Sequence, residues 1–146
     1  MGRVVSCFPE IGRHAYLNAK PETTKNLSMT EYSTIAEGNV IKRNPKFPAN
    51  YIDAIKSNMG LYDVILVDSS AIVRDHLKKK KIPYTVVYPA TDPETIKDFR
   101  IRLAHSSLPI AGVIRDNLTG FISEIRRDPF PTKIELHSGK YLIDVL

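Results

Sequence analysis

The chain has 146 residues, of which 42% are hydrophobic and 25% charged, and its formal net charge is +5. These values are typical of one globular domain, and no apolar run approaches the roughly 20 residues that cross a bilayer. The single cysteine, Cys7, excludes an internal disulfide framework and fits a reducing compartment. We therefore expect one domain over residues 1–146, located in the cytoplasm and without a membrane partner.

The first third of the chain predicts short elements separated by loops. A first strand is indicated around Val4, and a short helix over residues 13–19. Residues 27–35 alternate loosely and are rich in Ser, Thr and Tyr, which favours a strand. The segments 37–39 and 43–48 carry the Gly, Asn and Pro residues that are typical of loops.

The middle of the chain gives stronger patterns. Apolar residues at helical spacing predict a helix that begins at Asn50 and is closed by Gly60. Four consecutive aliphatic residues within 62–68 predict a strand that is buried on both faces. The elements that follow are predicted as a helix over residues 71–80, a strand over 84–88, and a helix opened by Asp92 and Pro93.

The last part of the chain predicts one long helix and a terminal strand. The helix is indicated by an apolar stripe through Ala111, Ile114, Leu118, Phe121, Ile122 and Ile125. The tail, residues 129–146, alternates and predicts a hairpin or an edge strand. Because strands alternate with helices, right-handed crossovers and a mainly parallel sheet are expected. The predicted fold class is α/β, with three layers.

In such folds ligands bind at the carboxyl ends of the strands, and the loop "SCFPEIGRHAYL" follows the first of them. The phosphate-loop template G-x-x-x-x-G-K-[ST] places Cys7, Gly12, Arg13 and His14 at its defined positions, and only Gly12 matches literally. Arg13 keeps the positive charge, but its planar fork does not replace a compact ammonium. His14 lacks the hydroxyl that ligates Mg²⁺, and Glu10 adds a charge that repels a polyphosphate.

Asp68 comes at the end of the predicted central strand and has two interpretations. As a Walker-B-like carboxylate it would bind Mg²⁺ directly or through water. Alternatively, Asp68 caps the following helix together with Ser69 and Ser70. Spacing alone favours the second interpretation.

A run of four lysines, residues 78–81, is the most concentrated charge in the sequence. It lies just before Ile82 and Pro83, where a helix has to end. Lysines in a last helical turn favour the negative end of the helix dipole, and this account is sufficient. Together with Arg126 and Arg127 the lysines would alternatively form a surface for nucleic acid.

Longer phrases further along the chain carry a resemblance to a known family. The run "NPKFPANYIDAIKSNMGLYDVILVDSSAIVRDHLKKKKIPYTVVYP" resembles small P-loop, nucleotide-kinase-like proteins found mostly in bacteriophages. Members of that family carry a loop F-P-G-[IV]-G-K-S, a helix start FP-x-NYI, a strand D-[IV]-I-L-V, and the phrase V-R-x-x-L-x-x-x-x-IP-[YF]-T-x-VYP. The resemblance covers residues 4–125. It implies a P-loop-kinase-like fold for the whole domain.

The resemblance assigns the loop residue by residue, with the family's F-P-G-I-G-K-S falling on residues 8–14. Glu10, Arg13 and His14 replace the inner glycine, the lysine and the serine of the family. The family residue is kept at Phe8, Pro9, Ile11 and Gly12. The resemblance therefore implies a phosphate loop by descent, in which these four residues, Arg13 and His14 hold the nucleotide-binding positions.

The resemblance also implies a lid-like segment. The family's Y-x-x-R appears here as Phe99 with Arg102, and in a kinase Arg100 and Arg102 would close over the transferring phosphoryl group. Alternatively, these arginines lie on a solvated helix face and pair with Asp98 and Glu94. The residues alone leave the two interpretations equal.

Three substitutions in one phosphate loop favour a degenerate nucleotide-kinase-like protein that no longer transfers phosphate. Such a protein would act as a binding or structural module for a phage or host protein in the host cell cytoplasm. The alternative is an active nucleoside monophosphate kinase with Mg-ATP as cofactor. In that case Arg13, Asp68, Arg100 and Arg102 would be catalytic, with Asp68 holding Mg²⁺. A second alternative is a basic nucleic-acid-binding protein.

Overall fold

The structure is a computed structural model that describes residues 2–146. Its strands are β1 (Arg3–Cys7), β2 (Thr24–Asn26), β3 (Thr34–Glu37), β4 (Val40–Arg43), β5 (Val64–Asp68), β6 (Thr85–Pro89) and β7 (Thr132–Leu136). Its helices are α1 (Arg13–Ala19), α2 (Thr30–Ser33), α3 (Ala49–Asn58), α4 (Ala71–Lys79), α5 (Pro93–Ala104), α6 (Ala111–Asp116), α7 (Leu118–Arg127) and α8 (Leu142–Val145).

Five of the strands form one parallel sheet in the order β2-β5-β1-β6-β7. The middle strands come from the aliphatic runs of the sequence, and the side chains of β6 are buried along its whole length. Such runs suit strands that are covered on both faces, as parallel strands are. The predicted fold class is confirmed: the chain has a three-layer α/β fold of the P-loop-kinase-like type with a mainly parallel sheet.

Helices cover the sheet on both faces. The chain moves from β1 outwards to β2 and then returns towards β5 and β6, so right-handed crossovers place α1 on one face and α3 and α4 on the other. The α4 helix is joined to α7 by a salt bridge of 2.7 Å between Arg74 and Glu124. Within residues 2–146, no helix combines the length and the apolar character that a membrane span needs.

The core is continuous from one layer to the next. Phe8, at the end of β1, packs edge-on against Phe99 of α5 with ring centroids 6.2 Å apart. On the α3 side, Tyr51 is fully buried and its ring lies 5.2 Å from that of Tyr32. The loop after β1 therefore packs on the core through the buried pair of Phe8 and Phe99.

The prediction of a strand over residues 27–35 is wrong. The sheet strand is β2, which ends at Asn26, and the chain then forms the short helix α2. The β3 and β4 strands make a separate antiparallel hairpin, in which Gly38 takes the turn with a φ of 62°. All residues of both hairpin strands are exposed, so no alternation of buried and exposed positions marked them in the sequence.

The prediction of one long helix near the end is also wrong. The apolar stripe is divided between α6 and α7, because Asn117 has a φ of −128° and does not continue the helix. In the tail, β7 pairs in parallel with β6 at the edge of the sheet, which corresponds to the edge-strand alternative. The residues after it are not strand: Tyr141 precedes the short helix α8.

Candidate functional site

The loop that joins β1 to α1, residues 8–12, lies at the carboxyl end of the sheet. The chain leaves β1 towards β2 on one side, and it leaves the neighbouring β6 towards β7 on the other. Where adjacent strands send their connections in opposite directions, a crevice opens in which α/β proteins bind ligands. The amide of Phe8 donates to the carbonyl of Val87 at 3.1 Å and anchors the loop to β6. The topology therefore puts this loop where ligands bind in such folds.

Two residues of the loop have a left-handed backbone. Gly12, immediately before α1, has a φ of 86°, and Glu10 has a φ of 68°. Glycine adopts this conformation freely, whereas a residue with a Cβ loses about 1 to 2 kcal/mol there. The family resemblance of the sequence predicts that Glu10 stands in place of a glycine. The loop thus has a backbone that suits glycine at a position where the residue is glutamate.

We expect Glu10→Gly to raise the free energy of unfolding by about 1 kcal/mol, because it removes the Cβ from a left-handed residue. Urea unfolding followed by circular dichroism measures this gain. Glu22→Gly is the matched control, since Glu22 is exposed, lies outside the helices and strands, and does not have a positive φ. The expectation fails if Glu10→Gly is no more stable than the wild-type protein.

The side chain of Arg13 crosses the carboxyl ends of β2 and β5. Its guanidinium donates to the side chain of Asn26, to the carbonyl of Leu27 at 2.6 Å and to the carbonyl of Leu66 at 3.2 Å. It also forms a salt bridge with Asp68. Each of its three nitrogens is engaged in this way, and the side chain is only 20% exposed. The cation of the loop is therefore held by the protein itself.

Asp68 is held just as fully as the arginine. One carboxylate oxygen accepts from Arg13 and the other accepts from the amide of Met29 at 3.3 Å. The hydroxyl of Tyr51 accepts from the amide of Asp68 at 3.1 Å and donates to the carbonyl of Leu27 at 2.6 Å. Burial, reinforced by the negative charge of Asp68, raises the pKa of Tyr51 well above its ordinary value, so its proton stays in this network.

Charge in this network is confined to the arginine and the aspartate. Burial would lower the pKa of Arg13, but the negative charges of the Cys7 thiolate, which forms only at high pH, and of Asp68 hold it above its ordinary value. Burial raises the pKa of the Cys7 thiol to about 12, so this thiol is neutral at pH 7. The negative charge that faces Arg13 near neutrality is therefore the carboxylate of Asp68. A buried neutral thiol is not a nucleophile, which leaves Cys7 a packing role.

Arg102 of α5 ties the loop to the segment after β7. Its guanidinium donates to the carbonyl of Glu10 at 3.2 Å, to the carbonyl of Lys140 at 2.9 Å and to the carboxylate of Asp98 at 2.8 Å. The side chain of Arg102 is 7% exposed. Burial would raise the pKa of Asp98, but the amide of Gly139 and Arg102 together lower it.

Two aromatic rings complete this contact. The same guanidinium lies 4.3 Å from the ring centroid of Phe99 and 4.0 Å from that of Tyr141. The Tyr141 ring packs against Gly12, where an added Cβ would come within 3.0 Å of it. The amide of Leu142 donates to the carbonyl of Ile11 at 2.8 Å. The segment after β7 therefore packs directly on the loop.

The other residues of the predicted site are not brought together. Phe8 and Ile11 are buried in the core and support the loop from below, and Pro9 is half-buried. His14 is exposed on α1. Arg100 is exposed on α5 and makes no hydrogen bond or salt bridge among the described residues, although Arg102, two positions later, reaches the loop.

The pairing of Asp98 with the arginines of α5, one of the two interpretations of that segment, is confirmed for Arg102, but the other polar partners of Arg13 and Arg102 were missed from the sequence. Asn26 lies 13 positions from Arg13, and the carbonyl of Lys140 lies 38 positions from Arg102. No local pattern joins residues so far apart. Tyr51 was predicted only as part of an apolar helix face, because its spacing carries no information about its hydroxyl.

The residues of the site do not fit a Mg²⁺-bound nucleotide. Both carboxylate oxygens of Asp68 already accept protein hydrogen bonds, and the residue after Arg13 is His14, which has no hydroxyl oxygen to offer. Mg²⁺ prefers several oxygen ligands in octahedral geometry. Within residues 2–146, no three His, Cys, Asp or Glu side chains are grouped so that they could hold a metal ion.

Comparison with known proteins adds no relative to this picture. No protein-family model matches the chain, and searches of curated proteins and of solved structures gave no match either.

Proposed function

We propose that the chain is a degenerate member of the phage nucleotide-kinase-like family that its sequence resembles. In this proposal the domain has lost phosphoryl transfer and acts as a binding or structural module for a phage or host protein. The observation that carries the proposal is the salt bridge between Arg13 and Asp68. The two residues that would hold phosphate and Mg²⁺ in an active kinase neutralise each other.

Phosphoryl transfer depends almost entirely on positioning and electrostatic stabilisation. A cation aids it only when its donors point at the phosphate, yet every nitrogen of Arg13 is bound to a protein acceptor. Freeing this guanidinium would leave Asp68 without its partner in a site that is only 25% exposed. Breaking such a pair is costly, so nucleotide binding would have to supply that free energy first.

The second support comes from Arg102. In an active kinase this arginine would close over the phosphoryl group, but here it is bonded to Asp98 and to two carbonyl oxygens. Arg100, which has no such partners, is exposed on α5. Arg102, which lies near the loop, is bound by protein acceptors, whereas Arg100, which has no such acceptors, makes no hydrogen bond to the loop.

A titration with Mg-ATP tests the proposal. We expect the wild-type protein to bind no Mg-ATP at 1 mM nucleotide, on the order of the highest Michaelis constants of enzymes, and to phosphorylate none of the four deoxynucleoside monophosphates. Isothermal titration calorimetry and a coupled assay for ADP measure the two outcomes. Turnover by the wild-type protein would overturn the proposal in favour of an active nucleoside monophosphate kinase.

A variant of the loop tests whether only the motif residues have been lost or whether the loop has also lost the backbone shape that binds phosphate. Glu10→Gly/Arg13→Lys/His14→Ser restores the three family residues, and a lysine ammonium cannot make all the bonds of the Arg13 fork. We expect this variant to gain measurable Mg-ATP binding while wild type shows none. If the folded variant binds no nucleotide, the loop is not a phosphate loop by descent and the resemblance is misleading.

A further inference from the structure

The end of the sheet opposite the loop is strongly basic. All five sheet strands run in the same direction, so the helices that lead directly into β6 and β7, which are α4 and α7, return to the amino end of the sheet. The α4 helix ends in this way with Lys78 and Lys79, and Lys80 and Lys81 follow it. The α7 helix ends with Arg126 and Arg127. The topology thus brings the basic ends of α4 and α7 to the same side of the molecule.

The ends of α4 and α7 are neighbours. The two helices are joined midway by the salt bridge between Arg74 and Glu124. At their ends, the ammonium of Lys78 lies 3.8 Å from the carboxylate of Asp128. Arg127 directly precedes that aspartate at the end of α7. We call Lys78, Lys79, Lys80, Lys81, Arg127 and Phe130 the lysine patch.

The patch carries an excess of positive charge. Of its five cations, Lys78 lies beside the carboxylate of Asp128, and the sequence of α4 places Asp75 three residues before Lys78. Among the described residues, Lys79, Lys80, Lys81 and Arg127 form no salt bridge, and all four are exposed. Arg126 is not part of the patch, because it is bonded to Glu135 and Thr91.

The helix dipole does not account for all of these lysines. The α4 helix ends in a Schellman motif, in which the amide of Ile82 donates to Leu77 at 2.9 Å and that of Lys81 donates to Lys78 at 3.0 Å. Lys81 has a φ of 55° and takes the left-handed position at which glycine is usual. A lysine at position 81 therefore strains the backbone. Lys80 and Lys81 also lie beyond Lys79, the last residue of α4, so they are outside the last helical turn to which the dipole argument applies.

An aromatic ring is exposed beside this charge. Phe130 is 37% exposed, and its ring centroid lies 5.9 Å from that of the buried Tyr84. Its amide donates to the carboxylate of Asp128 at 3.0 Å, which fixes the backbone at this point. The ring of Phe130 is thus supported from behind and lies two residues from Asp128, whose carboxylate contacts Lys78. An exposed ring near lysines is the arrangement on which unpaired bases stack while their phosphates contact the cations.

We propose that the lysine patch binds single-stranded nucleic acid without sequence preference. Lys79, Lys80, Lys81 and Arg127 contact the phosphates, and Phe130 stacks on a base. The patch lies at the end of the sheet opposite residues 8–12, so this binding is independent of the fate of the phosphate loop.

Fluorescence anisotropy with labelled dT20 tests the proposal directly. Each phosphate contact on a single strand contributes about −0.7 to the slope of log affinity against log salt. With three to five contacts, we expect the affinity to fall roughly 20- to 130-fold between 50 and 200 mM NaCl. Duplex DNA and polyglutamate are expected to bind more weakly than dT20. A flat salt response, or tighter binding of either competitor, would overturn the proposal.

A pair of charge-matched variants locates the site. Lys79→Gln/Lys80→Gln/Arg127→Gln removes three exposed cations from the patch, and we expect it to weaken dT20 binding at least about tenfold. The control, Lys42→Gln/Arg43→Gln/Lys46→Gln, removes three exposed cations in and beside the β3–β4 hairpin and should change binding by less than about twofold. Equal losses in the two variants would mean that only net charge matters, and would overturn the site.

Two single variants separate binding from folding. Phe130→Leu keeps apolar contact with Tyr84 but has no flat face, and should weaken binding about fivefold. Lys81→Gly relieves the left-handed residue, so it should raise the melting temperature and still weaken binding. The proposal is contradicted if Lys81→Gly stabilises the protein and binds dT20 as well as wild type does, or if Phe130→Leu binds unchanged.

Discussion

Asp68→Ala is expected to lower the free energy of unfolding by about 3 kcal/mol, because it leaves the guanidinium of Arg13 without its charged partner. The two side chains are 20% and 25% exposed, so water screens the abandoned charge only in part, and the lower end of the usual range applies. The amide of Met29 also loses its acceptor. Urea unfolding at pH 7, followed by circular dichroism, measures the loss.

An exposed ion pair of the same chain is the control. Lys42 and Glu37 are joined at 2.8 Å, but their side chains are 56% and 57% exposed, so Glu37→Ala should cost less than about 1 kcal/mol. The double variant Arg13→Met/Asp68→Leu should recover a large part of the loss, since no unpaired charge is left in it. If Asp68→Ala costs no more than Glu37→Ala, then the buried pair does not hold the site together.

The position of this pair was largely predictable, but its contact was not. The aliphatic run that forms β5 placed Asp68 at the carboxyl end of a strand, and the loop after β1 placed Arg13 at the same edge of the sheet. Parallel strands bring such ends together. The sequence does not predict which groups bind each charged side chain, because Arg13 also binds Asn26 and the carbonyl of Leu27.

What was missed from the sequence has a common physical cause. The β3–β4 hairpin is exposed on both faces, so it has no alternation of buried and exposed residues to mark it. Asn117 interrupts an apolar stripe whose periodicity continues across the break. Periodicity reports burial, and burial alone fixes neither turns nor side-chain partners.

The two ends of the sheet differ in whether their charged side chains are bound by other groups of the protein. At the carboxyl end, the charges of Arg13, Asp68 and Arg102 are engaged by protein groups. At the amino end, Lys79, Lys80 and Arg127 are exposed and carry no salt bridge among the described residues. A domain that transferred phosphate would be expected to show the opposite distribution, with its available cations at the loop.

Arg102→Met is expected to lower the free energy of unfolding by about 2 to 3 kcal/mol. The methionine keeps an apolar contact with Phe99 but gives up the hydrogen bonds to Asp98 and to the carbonyls of Glu10 and Lys140. Because Arg102 joins the loop to the segment after β7 by binding both carbonyls, the loss of stability should be greatest in these two segments. Amide hydrogen exchange at residues 140–142 should accelerate more than exchange in the β-sheet.

Arg100→Met is the matched control, since it removes the same side chain from an exposed position of the same helix and should change stability by less than about 0.5 kcal/mol.

The effect of Arg102→Met should also depend on pH. The lowered pKa of Asp98 contributes stability above the ordinary carboxyl pKa of about 4, and this stability is lost as the pH falls through the lowered pKa. The difference between the wild-type protein and Arg102→Met should therefore narrow between about pH 5 and pH 3. A difference that stays constant over this range would mean that Arg102 acts through packing on Phe99 and Tyr141 alone, and that its ion pair with Asp98 contributes nothing.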